Sequence, residues 1–96
     1  MDTLRNDDIE TALADLPGWE RDGDAIRRDY SLDGFRDAID LIVRIADLAD
    51  EANHHPEMTN VYSNLTVVLT THDAGGITQK DLDLAAAIEA VATTGS

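Results

Sequence analysis

The stretch Asp50-EANHHPEMTNVYSNLTVVLTTHDAGGITQK-Asp81 decides how this chain is read. It holds all three histidines, His54, His55 and His72, within nineteen positions of one another. Histidine has an unperturbed pKa of about 6.5 and so gives and takes protons near neutral pH. Three of them together suggest a proton-transfer site. From Asn64 to His72, Leu65, Val67, Leu69 and Thr71 alternate with Asn64, Thr66, Val68, Thr70 and His72, the period of a strand with two unlike faces. Asp73-Ala74-Gly75-Gly76-Ile77 reads as a turn. Thr78-Gln79-Lys80-Asp81 has the form of a capping box, with Asp in place of Glu or Gln, opening a helix from Gln79 to about Ala92.

Upstream of this stretch, Asp33 reads as the N-cap of a helix over Gly34 to Ala52. Phe35, Ala38, Ile39, Ile42, Val43, Ala46 and Ala49 form its main apolar stripe. A second stripe, Leu41, Ile45 and Leu48, widens the apolar face beyond what one side of a sheet would cover, which places part of the helix in a subunit interface. This helix spans ~28 Å, and an extended chain from Val61 to His72 would run back along it by ~35 Å. For His54 and His72 to meet within one subunit, His55 to Met58 should form a short strand that folds back at Thr59–Ser63. A site assembled across subunits is the fallback.

The chain begins with a helix predicted over Asn6 to Leu16, with Asn6 as N-cap and Ile9, Leu13 and Leu16 as its apolar side. Pro17-Gly18 ends it. Trp19-Glu20-Arg21 and Ala25 to Leu32, separated by Asp22-Gly23, read as a hairpin with Ile26, Arg28, Tyr30 and Leu32 on one face. Leu82, Ala85, Ala86, Ile88 and Val91 supply the apolar side of the last helix, and 93–96 read as a frayed tail. The result is an α+β fold over 1–96 as a single domain: a small four-stranded antiparallel sheet with three helices packed on one face, in the order α-β-β-α-β-β-α.

Composition excludes several classes of function. There is no cysteine, which removes disulfides, thiol catalysis and cysteine-ligated zinc. No apolar run reaches the ~18 residues of a membrane span, and MDTLRNDDIE is acidic where a signal peptide would be basic, so a cytoplasmic protein is expected. Twenty acidic residues against seven basic ones give a formal net charge of -13, which argues against nucleic acid as a direct partner. Asp outnumbers Glu 15 to 5, and Lys80 stands alone beside six arginines. This composition resembles that of proteins from salt-accumulating halophilic archaea, in whose cytoplasm the Debye length shrinks to ~3 Å at 1 M and self-repulsion is screened. An ordinary acidic bacterial protein is the alternative.

Each candidate residue has a plain reading beside the functional one. His54 and His55 could be exposed polar residues at a helix end, and adjacent positions in extended chain point to opposite faces. His72 alone would be an ordinary strand-end histidine. Asp81 could simply cap its helix, and Asp50 is either a solvated charge or the carboxylate that holds His54 or His55 in one tautomer. Tyr62 and Trp19 are most simply core or rim aromatics. Three histidines could hold a catalytic zinc, though the adjacent pair makes joint ligation awkward.

Taken together, Asp50, three positions, His54-His55-Pro56, five positions, Tyr62, nine positions, His72 and then Asp81 resemble the pattern of the pterin-4a-carbinolamine dehydratases. The similarity extends to Gly18-Trp19 and the closing LDLAAAIEAVA; Met58 departs from it, standing where many members carry a bulky aromatic. The resemblance implies dehydration of 4a-hydroxytetrahydropterin to quinonoid dihydropterin and water, in tetrahydropterin recycling. It implies His54, His55 and His72 as the catalytic set, with Asp50, Asp81, Tyr62, Trp19 and Pro56 binding substrate or supporting it. It further implies no metal, no cofactor beyond the pterin substrate, and a homodimer or homotetramer. The same resemblance allows a different class, a non-catalytic binding or assembly module or a molybdopterin-related protein.

The charge balance gives the first prediction. The fold should loosen when salt is dialysed away, because nothing then screens the net charge of -13. Far-UV circular dichroism checks it, and a spectrum unchanged between molar and millimolar KCl would contradict it.

Overall fold

Alternation along the two central strands puts their apolar side chains on one face, and all three helices gather there. The structure, a computed structural model, describes residues 3–94. Helix α1 (Asn6–Ala14) is followed by β1 (Trp19–Asp22), β2 (Ala25–Ser31), α2 (Phe35–Ala52), β3 (Glu57–Val61), β4 (Asn64–Leu69), a 3-10 turn at His72–Ala74 and α3 (Gln79–Thr94). The strands form one antiparallel sheet in the order β1-β2-β4-β3. The α+β architecture and its α-β-β-α-β-β-α order match the expectation, with the strand expected at His55 to Met58 found at Glu57–Val61.

Ile26 and Tyr30 of β2, with Leu65, Val67 and Leu69 of β4, are buried against Leu41 and Ile45 of α2 and Leu82, Ala85 and Ile88 of α3. Each large aliphatic side chain buried in this way contributes roughly 1.5–3 kcal/mol. The opposite face of the sheet is polar and wet. There the Thr66 hydroxyl and then the Arg27 guanidinium hold the Asp29 carboxyl below the usual carboxylate range.

Several local expectations shift, each for an identifiable reason. Asn6 does not cap α1; Arg5 occupies that position, and the Asn6 side chain instead accepts a 2.7 Å hydrogen bond from Arg21 Nη1. The first hairpin turns at Gly23-Asp24 rather than Asp22-Gly23, since Asp22 pairs with Ala25 and Gly23 supplies the left-handed residue (φ 62°) at the first turn position. Asp33 is not the cap of α2, because Gly34 takes the extended N-cap conformation without a side-chain hydrogen bond. The core-facing side of α2 takes residues from both stripes, Ala38 and Ala49 from the main one and Leu41 and Ile45 from the second, while Phe35 and Val43 of the main stripe are 52% and 56% exposed.

The second hairpin is tighter than expected. Strand β3 begins at Glu57 and runs to Val61, leaving only Tyr62-Ser63 as the turn. The Asn60 amide donates to the carbonyls of Tyr62 and Asn64 and clamps that turn, with Tyr62 held in the left-handed region at φ 53°. Strand β4 ends at Leu69, so His72 lies beyond the ladder, where the Thr71 N–H donates to the Gly76 carbonyl and closes a loop around the 3-10 turn. Helix α3 continues two residues past Ala92, and Gly95 and Ser96 of the expected tail lie outside the described residues.

A polar cluster fastens α3 to the first hairpin. Trp19 Nε1–H, Arg28 Nε–H and Tyr30 O–H donate to one oxygen of Glu89, at 3.1, 3.0 and 2.6 Å. The Arg28 guanidinium also lies 4.3 Å from the Tyr30 ring centroid. Burial first, then the Glu89 carboxylate, pushes the Tyr30 hydroxyl well above its usual value. With the folded value raised, the stability this contributes is present below about pH 10 and lost as pH rises through the folded value.

Gly18 belongs to this cluster through its backbone. Its φ is 88°, and a Cβ there would meet Arg28 Cζ and Nε at 2.5 Å, whereas at Gly23 (φ 62°) a Cβ would meet nothing within 4 Å. Gly18→Ala is expected to cost about 2–3 kcal/mol by urea unfolding and Gly23→Ala about 1 kcal/mol. Equal costs would show that Arg28 yields freely.

Candidate functional site

The site is built where three segments distant in sequence converge. The first is the end of α2. Asn53 adopts the left-handed conformation (φ 51°), its N–H donates to the Asp50 carbonyl, and the His54 N–H donates back to the Ala49 carbonyl. This is a Schellman turn, for which Asn is the usual choice after Gly. It reverses the chain so that His54 comes down over the end of the sheet.

The second segment is the end of β4. In the β3–β4 ladder Glu57 stands opposite Val68, and that register carried onward leads His54 to the level of Thr71, the residue before His72. The third is the first turn of α3, which brings Asp81. The Asp81 side chain is fully buried. Its Oδ1 lies 2.5 Å from His54 Nε2, and its Oδ2 accepts from Thr71 Oγ1 and from the Thr78 N–H, both at 2.9 Å. Thr71 and Thr78 hydroxyls are 2.8 Å apart. Half of the expected capping box is therefore present: Asp81 reaches back to the Thr78 N–H, while the Thr78 hydroxyl turns to Thr71.

A carboxylate in this position only accepts hydrogen bonds, so the His54 Nε2–H donates to it. The His54 side chain is 10% exposed. His55 points the other way, as adjacent residues of extended chain do, and meets Asp50 across 3.0 Å with both side chains largely exposed. His72 is exposed beside Thr71, and Pro56 is half-buried as the chain enters β3. The chain thus joins His54, Asp81 and Thr71 within one subunit, with the His55–Asp50 pair on the adjoining surface; His72 follows Thr71 at the start of the 3-10 turn, exposed and outside this set of hydrogen bonds.

Two residues of the pattern stand apart. Tyr62 is at the tip of the β3–β4 hairpin, 81% exposed, at the end of the strands away from His54. Trp19 is buried with its indole N–H on Glu89, two helical turns along α3 from Asp81. Met58 is half-buried opposite Val67 and packs against the core. Sequence reasoning did not single out Asn53, Thr71 or Glu89. Asn53 had a signal, an Asn directly after an apolar helical run, and Glu89 was a lone charge inside LAAAIEAVA. Nothing in the strand pattern marked Thr71.

Two hollows lie apart from the histidines. One hollow is lined by Leu32, Leu41, Arg44 and Val91, and a groove by Leu48, Ala52, Lys80, Leu84 and Ala87. Neither includes a histidine. Among the described residues no three His, Asp or Glu side chains converge as a metal site would, and no helix is long and apolar enough to cross a membrane.

Comparison with known proteins shows the family and agrees with the fold. A protein of Mycobacteroides abscessus with the provisional name pterin-4-alpha-carbinolamine dehydratase is 48% identical over 89 residues, covering 93% of this chain and 95% of its own. The crystal structure of a protein from Brucella melitensis described as a transcriptional coactivator/pterin dehydratase superposes with a TM-score of 0.91 at 31% identity, covering 95% of this chain and 99% of that one. A pterin dehydratase-like protein identified as a RuBisCO assembly factor in the alpha-carboxysome shares the fold at a TM-score of 0.63 and 15% identity, over 77% and 86% of the two chains. The family model for pterin 4 alpha carbinolamine dehydratase matches residues 2–91, and the chain belongs to that family.

Proposed function

We propose that the protein dehydrates 4a-hydroxytetrahydropterin to quinonoid dihydropterin and water, as a step in tetrahydropterin recycling. The observation that carries this reading is the buried Asp81 carboxylate, which ties His54 to Thr71, the residue before His72. In the reaction the C4a–O bond breaks, the hydroxyl leaves as water after gaining a proton, and N5 loses its proton as the N5–C4a double bond forms. No net electron transfer occurs, so the chemistry calls for an acid, a base and groups that orient a flat polar ring.

His54 and His72 are the acid–base pair in this reading, with roles that exchange between the two epimers at C4a. His55, steadied by Asp50, orients the pterin. Neither step needs a metal. The half-exposed Phe35 and Val43 on α2 support association of copies into a homodimer or homotetramer, which would cover them. With its acidic surface screened by salt, the protein would act in the cytoplasm of a halophile.

The second reading is an assembly module, favoured by the use of this fold in a RuBisCO assembly factor. A scaffold has no need of a buried Asp–His pair beside a second histidine. The test is the rate of 4a-hydroxytetrahydropterin dehydration in molar KCl for the wild type, His54→Ala and His72→Ala, each checked for folding by circular dichroism. Each variant is expected to lose about 10²–10⁴-fold, the usual contribution of a positioned acid or base. A folded wild type without activity would favour the assembly module.

A further inference from the structure

The hydrogen-bond directions around Asp81 determine more than its pairing with His54. Thr71 spends its only hydroxyl proton on Asp81 Oδ2, so in the 2.8 Å contact between the two threonines it is Thr78 that donates. The chain of donors runs in one direction, from Thr78 to Thr71 to Asp81. Oδ2 also takes the Thr78 N–H, which leaves Oδ1 as the oxygen presented to His54. Thr71 is 9% exposed and Thr78 and Asp81 are fully buried, so bulk water does not compete for these bonds.

The consequence reaches the imidazole. With Nε2–H fixed on Asp81, the neutral ring carries its lone pair on Nδ1. Among the described residues no protein group bonds Nδ1 and no buried side-chain nitrogen or oxygen lacks a partner. Nδ1 is therefore the nitrogen of His54 that solvent or a ligand reaches.

We propose that His54 exchanges protons through Nδ1, and that Thr71 is the positioning residue that sets this by clamping the Asp81 carboxylate. Thr71 touches neither the imidazole nor a substrate; it acts through Asp81. Removing its hydroxyl leaves Oδ2 with the Thr78 N–H alone and frees the carboxylate to rotate. The ring then loses its single orientation and its single tautomer. The inference rests on the dehydratase reading for its kinetic consequence, but its structural part stands independently of that reading.

The experiment compares wild type, Thr71→Val and Thr71→Ser in molar KCl. Long-range ¹H–¹⁵N correlation of the imidazoles reads the His54 tautomer, with signals assigned through His55→Gln and His72→Gln, and dehydration kinetics are measured on the same samples. Wild type and Thr71→Ser should show the Nε2–H tautomer of His54. Thr71→Val, isosteric and folded by circular dichroism, should show a mixture and lose kcat about tenfold or more with KM held, because the loss falls on the reacting state. Wild-type tautomer and kcat in Thr71→Val, or an Nδ1–H tautomer in the wild type, would overturn the proposal. If the wild type has no activity the dehydratase reading falls, and the tautomer comparison alone still upholds or overturns the role of Thr71.

Discussion

A carboxylate with no solvent exposure holds the candidate site of this molecule together. Moving such a charge out of water costs several kcal/mol unless hydrogen bonds replace the lost hydration. Asp81 has three, from His54, Thr71 and the Thr78 N–H, and each comes from a different segment of chain. The requirement to satisfy one buried charge thus dictates where the turn after α2, the end of β4 and the start of α3 lie relative to one another. That same requirement brings His54 to Thr71, the residue before His72. The same side chain that accepts from the Thr78 N–H at the start of its own helix also holds the His54 imidazole.

Glu89 complements this arrangement on the same helix. Eight residues beyond Asp81, or roughly 12 Å at 1.5 Å per residue, it collects Trp19, Arg28 and Tyr30 and fastens α3 to the first hairpin. Helix α3 is fixed to the sheet by polar contacts at two places, with Leu82, Ala85 and Ile88 packed between them. A helix with two such attachments has little freedom to slide, which keeps the first-turn carboxylate in register with His54. Trp19 contributes to this anchorage through its indole N–H. Gly18, by lacking a Cβ, leaves room for the Arg28 guanidinium.

Most of the element order was legible because it rests on periodicity, while the short strand before β4 followed only from a geometric requirement on the histidines. Alternation in 25–31 and 64–69 and helical spacing in 35–52 each commit a segment to one form. The spacing from Asp50 to Asp81 was legible as a pattern, although nothing local said that the Asp81 partner would be His54 rather than His55. That choice depends on the left-handed Asn53, which sets which of two adjacent histidines faces inward. The rotation of α2 was illegible for a related reason: its apolar residues cover more than half the circumference, and only the tertiary packing chooses Leu41 and Ile45 over Phe35 and Val43. Tyr62 shows the limit of motif reasoning, since its spacing is right but the tight turn at 62–63 carries it to the far tip of the hairpin.

Asp81→Asn in the dehydration assay is the most direct test of the central claim. An asparagine keeps the shape and can still accept from Thr71 and the Thr78 N–H through its carbonyl oxygen, but it then turns an NH₂ group toward His54 Nε2. The imidazole would have to accept there, taking the opposite tautomer, as in a catalytic histidine whose orienting Asp is replaced by Asn. The account predicts a folded protein whose kcat falls by about 10² or more. A folded Asp81→Asn protein with the wild-type rate would contradict it, because the buried carboxylate would then serve the fold alone.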